Sequence, residues 1–377
     1  MDPTLLTNRS FWNDREPFSF GKFPEQLPAE RLLEGCMLFE TSGSSGKPKC
    51  VVISKSALLT SATAVNEHLQ ISSSSCWGLA LPLHHVGGFG IVARAYAAGS
   101  RLEVFPQRWD APAFASWLKK GRVTHTSLVP TQVHDLVKNR LAAPSCLVAI
   151  IVGGGRLDAA TGQGARELGW PVLASYGMTE AGSQIATQGL DFLKYHYQPS
   201  PIPLLSHWQA RVVFKELLEI SGPALFSGYL TLENGIGHLT PRSSSWYITS
   251  DRVLLEDRLL SLLGRADTLV KVLGELVDPA EIERELQTLA ECGLAIGSYA
   301  VLAVPDARAG HRLVPVFERQ VAPEIVAAVF ANYARQAPGF RRLQPCFWID
   351  SIPKSPLGKI LKTELLTRYE NQILGNS

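Results

Sequence analysis

The stretch CMLFETSGSSGKPKCVVISKSALLTSATAVNEHL, residues 36–69, sets the reading of the fold. Two short β-rich runs, Cys36–Glu40 and Cys50–Ile53, flank a loop of small, hydroxylated and basic residues. A helical pattern, Ala57–Leu69, follows a candidate N-cap at Ser54 or Ser56. The same texture continues outward. Trp77–Leu81, Arg101–Phe105, Thr124–Leu128 and Leu147–Val152 read as strands, with helical segments between them. Asp110 suits the N-cap of a helix over Pro112–Lys120, with Gly121 as its stop. From residue 36 to about 175 this alternation predicts a largely parallel sheet covered on both faces.

Beyond Gly189 the texture changes. Pro199, Pro201 and Pro203 interrupt the chain, and strand-like runs follow at Ala210–Phe214, Trp246–Thr249, Val253–Glu256 and Leu259–Leu263. They predict a small β subdomain. From Asp267 a third texture begins. Pro279 suits the first turn of a helix with Ile282, Leu286 and Leu289 on one stripe. Tyr299–Val304 reads as a strand, and a helix is expected from about Pro323 to Gln336 with Ile325, Val326, Val329 and Tyr333 on one side. The fold class is therefore α/β: a large N-terminal α/β domain with an appended β subdomain (1–265) and a small mobile α+β C-terminal domain (266–377).

Composition narrows the function. The 377 residues are 46% apolar and 19% charged, with a net charge of +2 and no polybasic arm, which argues against nucleic acid or an anionic membrane as partner. The six cysteines, Cys36, Cys50, Cys76, Cys146, Cys292 and Cys346, lack zinc-knuckle spacing. The N-terminal MDPTLLTNRSFWNDREPF is polar, unlike a secretory signal, and the apolar stretch Gly78–Gly99 is broken by His84, His85 and Arg94. No stable membrane insertion and a reducing cytoplasm are expected.

Four motifs carry chemistry. In Thr41-Ser42-Gly43-Ser44-Ser45-Gly46-Lys47-Pro48-Lys49, glycines let backbone N–H groups approach an anion, hydroxyls add donors and lysines add charge. Pro48 distinguishes it from the G-x-x-x-x-G-K-[ST] loop, and the same residues also read as a flexible Ser/Gly hairpin. Tyr176-Gly177-Met178-Thr179-Glu180 offers a carboxylate for Mg²⁺ at ATP phosphates; it also reads as a turn with a solvated acid. In Trp246–Asp251, Asp251 ends a strand where it can accept ribose hydroxyls, and Gly264-Arg265-Ala266-Asp267 is a candidate hinge; an Arg–Asp surface pair on a hairpin is the plainer reading. Pro353-Lys354-Ser355-Pro356-Leu357-Gly358-Lys359 presents a lysine on a constrained loop, fit to neutralise phosphoryl charge, or else a solvated tail lysine.

Together, in this order and over about residues 36–365, the motifs resemble the adenylate-forming superfamily of acyl-CoA ligases, luciferase and peptide-synthetase adenylation domains. The resemblance implies two steps: a carboxylate attacks the α-phosphorus of ATP to give acyl-AMP, and then, after the small domain swings, coenzyme A displaces AMP. It implies ATP, Mg²⁺ and CoA as cofactors. It places Thr41–Lys49 at the β- and γ-phosphates, Thr179 and Glu180 at the α-phosphate and metal, and Asp251 and Arg265 at the ribose. Gly153, Gly154 and Gly155 resemble the adenine- and acyl-facing strand end, and Tyr176 and Gly177 fall among the cofactor-binding residues. Asp267 corresponds to the hinge, Lys359 to the adenylation lysine, Gly274 to the pantetheine tunnel, and His85 to a histidine beside the acyl pocket.

After His85 the run is Val86-Gly87-Gly88-Phe89-Gly90, without the acid that amino-acid adenylation domains use for the α-amine. His85–Gly99, Ser127–Gln132 and Tyr176–Thr187 are most similar to the o-succinylbenzoate–CoA ligase subfamily of menaquinone and phylloquinone biosynthesis. That resemblance implies a small aromatic carboxylate as substrate, with Gly87 and Arg94 facing it. Arg94 is the one charge in the nearly apolar helical run Gly87–Gly99; it reads equally as a snorkelling or structurally paired arginine. Departures include Ser250 before Asp251, Cys50 after Lys49, and only 40 residues ahead of the phosphate loop, where the family carries a full lobe. Another aryl- or acyl-CoA ligase, an acyl-AMP ligase, and a non-catalytic adenylation-like binding protein stand as alternatives. Oligomeric state is not legible.

Overall fold

The computed structural model describes residues 2–21, 31–42, 48–233, 236–290, 294–295, 297–355 and 358–374. The chain divides into two compact units, Met1–Thr249 with Val253–Leu262, and Ser250–Arg252 with Leu263–Ser377.

The first unit holds a six-stranded sheet whose spatial order is Arg101–Val104, Cys76–Leu79, His125–Leu128, Ala149–Val152, Val172–Met178 and Ser183–Thr187. Its first five strands are parallel, and the last, joined by a tight turn, is antiparallel. The runs Ala149–Val152 and Cys76–Leu79 are buried at every position, as strands covered on both faces require. From Cys76–Leu79 the chain moves one way to Arg101–Val104 and then the other way to His125–Leu128. The topological switch point, where open α/β sheets place their ligands, therefore lies beyond the carboxyl ends of Cys76–Leu79 and His125–Leu128.

The strands expected at Cys36–Glu40 and Cys50–Ile53 are present as Cys36–Ser42 and Pro48–Ser54, but outside that parallel sheet. They pair antiparallel to each other in a separate five-stranded sheet, with Phe18–Ser19 parallel to Cys36–Ser42 on one side and Gly228–Glu233 and Ile236–Pro241 beyond Pro48–Ser54 on the other. The reason is length: the connection between them is far too short for the crossover that parallel neighbours need. The helix after them runs Lys55–His68, capped by Ser54 accepting from Ala57 N at 3.1 Å. Asp110 caps Ala111–Gly121 as expected, but Arg122, at φ 49°, takes the left-handed stop assigned to Gly121. In the β subdomain, the two runs expected at 246–256 are one strand, Trp246–Glu256.

The second unit is built on the strands Glu275–Val277, Val270–Val272, Gly310–Glu318 and Tyr299–Asp306, with Phe347–Ile349 beside Gly310–Glu318. Alternation divides its core in two. Val301 and Phe317 pack with Ile282, Leu286, Val326, Val329 and Tyr333 of the helices Pro279–Leu289 and Pro323–Gln336. Ala300, Leu302, Val314 and Val316 point to the other face and meet Leu365 and Tyr369 of a further helix, Lys362–Leu374.

Candidate active site

In the first unit the site residues gather where strands end. Gly153, Gly154 and Gly155 follow Ala149–Val152, with Gly153 N donating to Leu128 O at 3.1 Å. Tyr176 and Gly177 close the strand Val172–Met178, whose register shifts between them. A Cβ on Gly177 would lie 1.6 Å from Ser183 O, so only glycine permits this approach of the two strands. Thr179 and Glu180 form the one-turn helix Thr179–Ala181, and Phe226 N donates to Glu180 O at 2.8 Å.

Glu180 is the acceptor in a group the sequence reading did not assemble. Tyr229 Oη lies 3.0 Å from Glu180 Oε1 and 3.0 Å from Tyr247 Oη, and Lys49 Nζ sits 3.9 Å above the Tyr229 ring. Lys49 reaches Tyr229 as a cross-strand diagonal: Tyr229 pairs with Val51 and Lys49 with Thr231. Thr41 Oγ1 donates to Lys49 O at 3.2 Å, tying the two strands of the hairpin together. Gly43, Ser44, Ser45, Gly46 and Lys47 lie outside the described residues, and Ser42 is described only as strand backbone.

At the switch point stands the second group. His85 occupies the N-cap position of the helix Val86–Ala98 without a side-chain cap bond, its ring 4.2 Å from that of His84, and burial pushes its pKa down. Gly87 lies in the first turn. Two turns on, Arg94 is only 2% exposed. Its Nη1 donates to Ser127 Oγ at 3.4 Å, its Nη2 to Ser183 Oγ at 3.3 Å, and the guanidinium lies 5.2 Å from the Trp77 ring centroid. Its Nε finds no acceptor, and no carboxylate pairs with it among the described residues. Desolvation pushes its pKa down to about 9, leaving it protonated at neutral pH. Neither plain reading of Arg94 holds: it does not snorkel, and among the described residues it pairs with no structural acid. The site thus keeps a buried cation whose hydrogen-bond partners are two neutral hydroxyls.

The second unit brings Asp251, Arg265 and Asp267 together. Arg265 holds Asp267 at two points, Nε–Oδ1 2.9 Å and Nη2–Oδ2 2.6 Å, and donates from Nη1 to Asp251 Oδ1 at 3.2 Å. Bonding to Arg265 holds the Asp267 carboxyl below the usual range. Gly274, at φ 90°, turns the hairpin between Val270–Val272 and Glu275–Val277. Lys359 stands exposed on a closed loop: Ser355 N donates to Lys359 O at 2.8 Å and Lys359 N to Ser355 Oγ at 3.2 Å.

Residues 9–230 match the family described as AMP-binding enzyme. The chain belongs to that family. Among curated proteins, this AMP-binding chain is 31% identical over 283 residues to the 2-succinylbenzoate--CoA ligase of Escherichia coli (strain K12), an alignment covering 75% of this chain and 58% of that protein. It is 28% identical over 348 residues to the enzyme of the same name from Enterococcus faecalis, covering 89% of this chain and 70% of that one. Among solved structures, an Arg-to-Lys variant of E. coli MenE with bound OSB-AMS aligns with TM-score 0.72 and 26% identity over 89% of this chain and 69% of that chain. The chain thus spans 58% to 70% of the length of these relatives.

Among the described residues, no group of three or more His, Cys, Asp and Glu side chains is placed to cage a metal ion. A magnesium ion carried in by nucleotide phosphates needs only one or two protein carboxylates, and Glu180 would be the candidate here. No helix of the described residues is long and apolar enough to cross a membrane.

Proposed function

We propose that this AMP-binding protein is an ATP-dependent carboxylate–CoA ligase that works through an acyl-adenylate, with o-succinylbenzoate as its acid, in the cytoplasm. The observation that carries the choice of acid is Arg94, a buried guanidinium with no acidic partner among the described residues. A buried charge without a counter-ion is unfavourable, and a ligand that supplies one recovers that energy on binding. o-Succinylbenzoate carries two carboxylates. The succinyl one is activated; the aryl one stays ionised and meets the guanidinium fork bidentately. Ser127 and Ser183 then hold the fork in place from the protein side.

In the first step the succinyl carboxylate attacks the α-phosphorus of ATP and pyrophosphate leaves. Thr41 to Lys49 hold the phosphate charge, Thr179 meets the α-phosphate, and Glu180 would hold a magnesium ion, which would neutralise phosphate charge. Asp251 and Arg265 take the ribose, Tyr176 and Gly153 to Gly155 face the adenine, and His85 borders the acyl group. Lys359 faces the transferring phosphoryl. In the second step, after rotation about Asp267, the thiolate of CoA, reaching in past Gly274, attacks the acyl carbon and AMP leaves. The names of the relatives and the ligand of the solved one agree with this acid.

The test is direct: incubate the protein with ATP, Mg²⁺, CoA and o-succinylbenzoate, and weigh the product. The thioester, formed with release of AMP and pyrophosphate, supports the proposal. Faster turnover of benzoate or a fatty acid removes the assignment of the acid, and pyrophosphate exchange with no acid in a panel removes the activity itself.

A further inference from the structure

Tyr229 belongs to the strand Gly228–Glu233, and no motif assigns it a role. Its hydroxyl has one proton and two neighbours, Glu180 Oε1 and Tyr247 Oη, each at 3.0 Å. Tyr229 donates its one proton to Glu180 Oε1, so across the pair of hydroxyls Tyr247 is the donor to Tyr229. The order of donation is fixed: Tyr247 to Tyr229 to Glu180. The ring beneath is held as firmly, 4.7 Å from Phe226, whose own backbone N donates to Glu180 O. Lys49 Nζ lies over the ring, 3.9 Å from its centroid.

We propose that Tyr229 is a positioning residue that fixes the Glu180 carboxylate for the nucleotide-bound magnesium ion and ties it to Lys49 of the phosphate loop. This rests on the reading of Glu180 as the metal carboxylate. Residues that hydrogen-bond a metal-binding carboxylate set its orientation, and their loss weakens metal affinity by roughly 10- to 100-fold. The phenol acts through its hydroxyl, whereas the contact with Lys49 needs only the ring. The two roles therefore separate in one substitution, Tyr229→Phe.

The experiment measures ATP affinity by calorimetry twice, with excess EDTA and with excess Mg²⁺; the ratio is the metal's own contribution. In Tyr229→Phe that ratio falls about tenfold, while EDTA affinity and thermal midpoint stay at wild-type values. In a Glu180→Gln background, Tyr229→Phe has no further effect on the ratio. A wild-type ratio in Tyr229→Phe overturns the proposal, as does an equal loss with and without Mg²⁺, which would make Tyr229 a packing residue. If Glu180→Gln itself leaves the ratio intact, the reading of Glu180 fails first. Should Tyr229→Phe not fold, the unmutated protein still decides. Adding Mg²⁺ to the ATP-loaded chain gives a tyrosine difference-absorption signal that Glu180→Gln abolishes, and absence of that signal overturns the proposal.

Discussion

Arg94 Nη2 lies 3.3 Å from Ser183 Oγ, and a Cβ on Gly90, one helical turn earlier, would come within 3.1 Å of the same nitrogen. That Cβ would also lie 3.4 Å from Ser183 Oγ, so the contact between the guanidinium and the hydroxyl is made where only a small residue leaves space. Because it loses no ion pair, Arg94→Met should not lower stability, and its thermal midpoint should equal or exceed the wild type's. Affinity tells the opposite story. Charge-assisted bonds are worth roughly 1.5–3 kcal/mol, so KM for o-succinylbenzoate should rise about 10- to 100-fold with ATP affinity unchanged. A collapse in stability with unaltered KM in the folded fraction would make Arg94 structural.

Arg94 also shows how far the sequence could be read. One charge inside an apolar 13-residue run marks an anomaly from composition alone, but whether an acid answers it depends on strands 33 and 89 residues away, and no local pattern carries that. The strands Cys76–Leu79 and Ala149–Val152 were legible because strands buried on both faces are nearly continuously apolar. The hairpin at Thr41–Lys49 was misplaced among them because apolar content says nothing of pairing direction; loop length does. Tyr229 was missed altogether. Its strand has no motif, and its meaning arises only when the register Tyr229–Val51 sets Lys49 over its ring.

Acid stability has a named contributor in His125. It is 3% exposed, its Nδ1 lies 2.8 Å from Thr124 Oγ1, and burial pushes its pKa down to about 4. A base whose folded pKa is depressed binds its proton more readily when unfolded, so its contribution is complete above about 6.5 and disappears as pH falls toward 4. The shift corresponds to roughly 3 kcal/mol. Urea melts of wild type and His125→Gln at steps between pH 7 and 4 should show the wild type losing more stability than the variant. Parallel curves would place the acid sensitivity elsewhere.

Asp267 has the opposite sign of protonation and the same sign of slope. Its carboxyl is held below the usual 3.8 by bonding to Arg265, so its contribution is present above that value and lost as pH falls through the folded pKa. The pair is partly exposed, so Asp267→Asn should lower stability by less than about 1 kcal/mol at neutral pH, with the gap closing in acid. Asp267→Pro asks a separate question, because proline fixes φ. If Asp267 is the pivot, this variant retains one half-reaction and loses the other, and full rates in both steps would move the pivot to another residue.

Lys359 decides whether the two half-reactions use different faces of the second unit. Its loop is closed upon itself by Ser355 at both backbone ends, and Lys354 bridges to Ile360, so the lysine is presented from a fixed base. No carboxylate among the described residues pairs with its ammonium, which distinguishes it from Lys354 near Glu318 and Lys362 at Glu283. A free ammonium on a fixed loop suits developing phosphoryl charge, and loss of one such contact slows a reaction on the order of 10²- to 10³-fold. Only adenylate formation develops that charge; attack of the CoA thiolate on the acyl carbon displaces AMP without touching a P–O bond. Lys359→Ala should therefore slow pyrophosphate exchange by that factor while thioester formation from supplied acyl-AMP and CoA proceeds within a few-fold of wild type. Equal slowing of both steps would mean that the lysine supports the fold of its loop or binds a group common to both, and the division of labour assigned to it would be withdrawn.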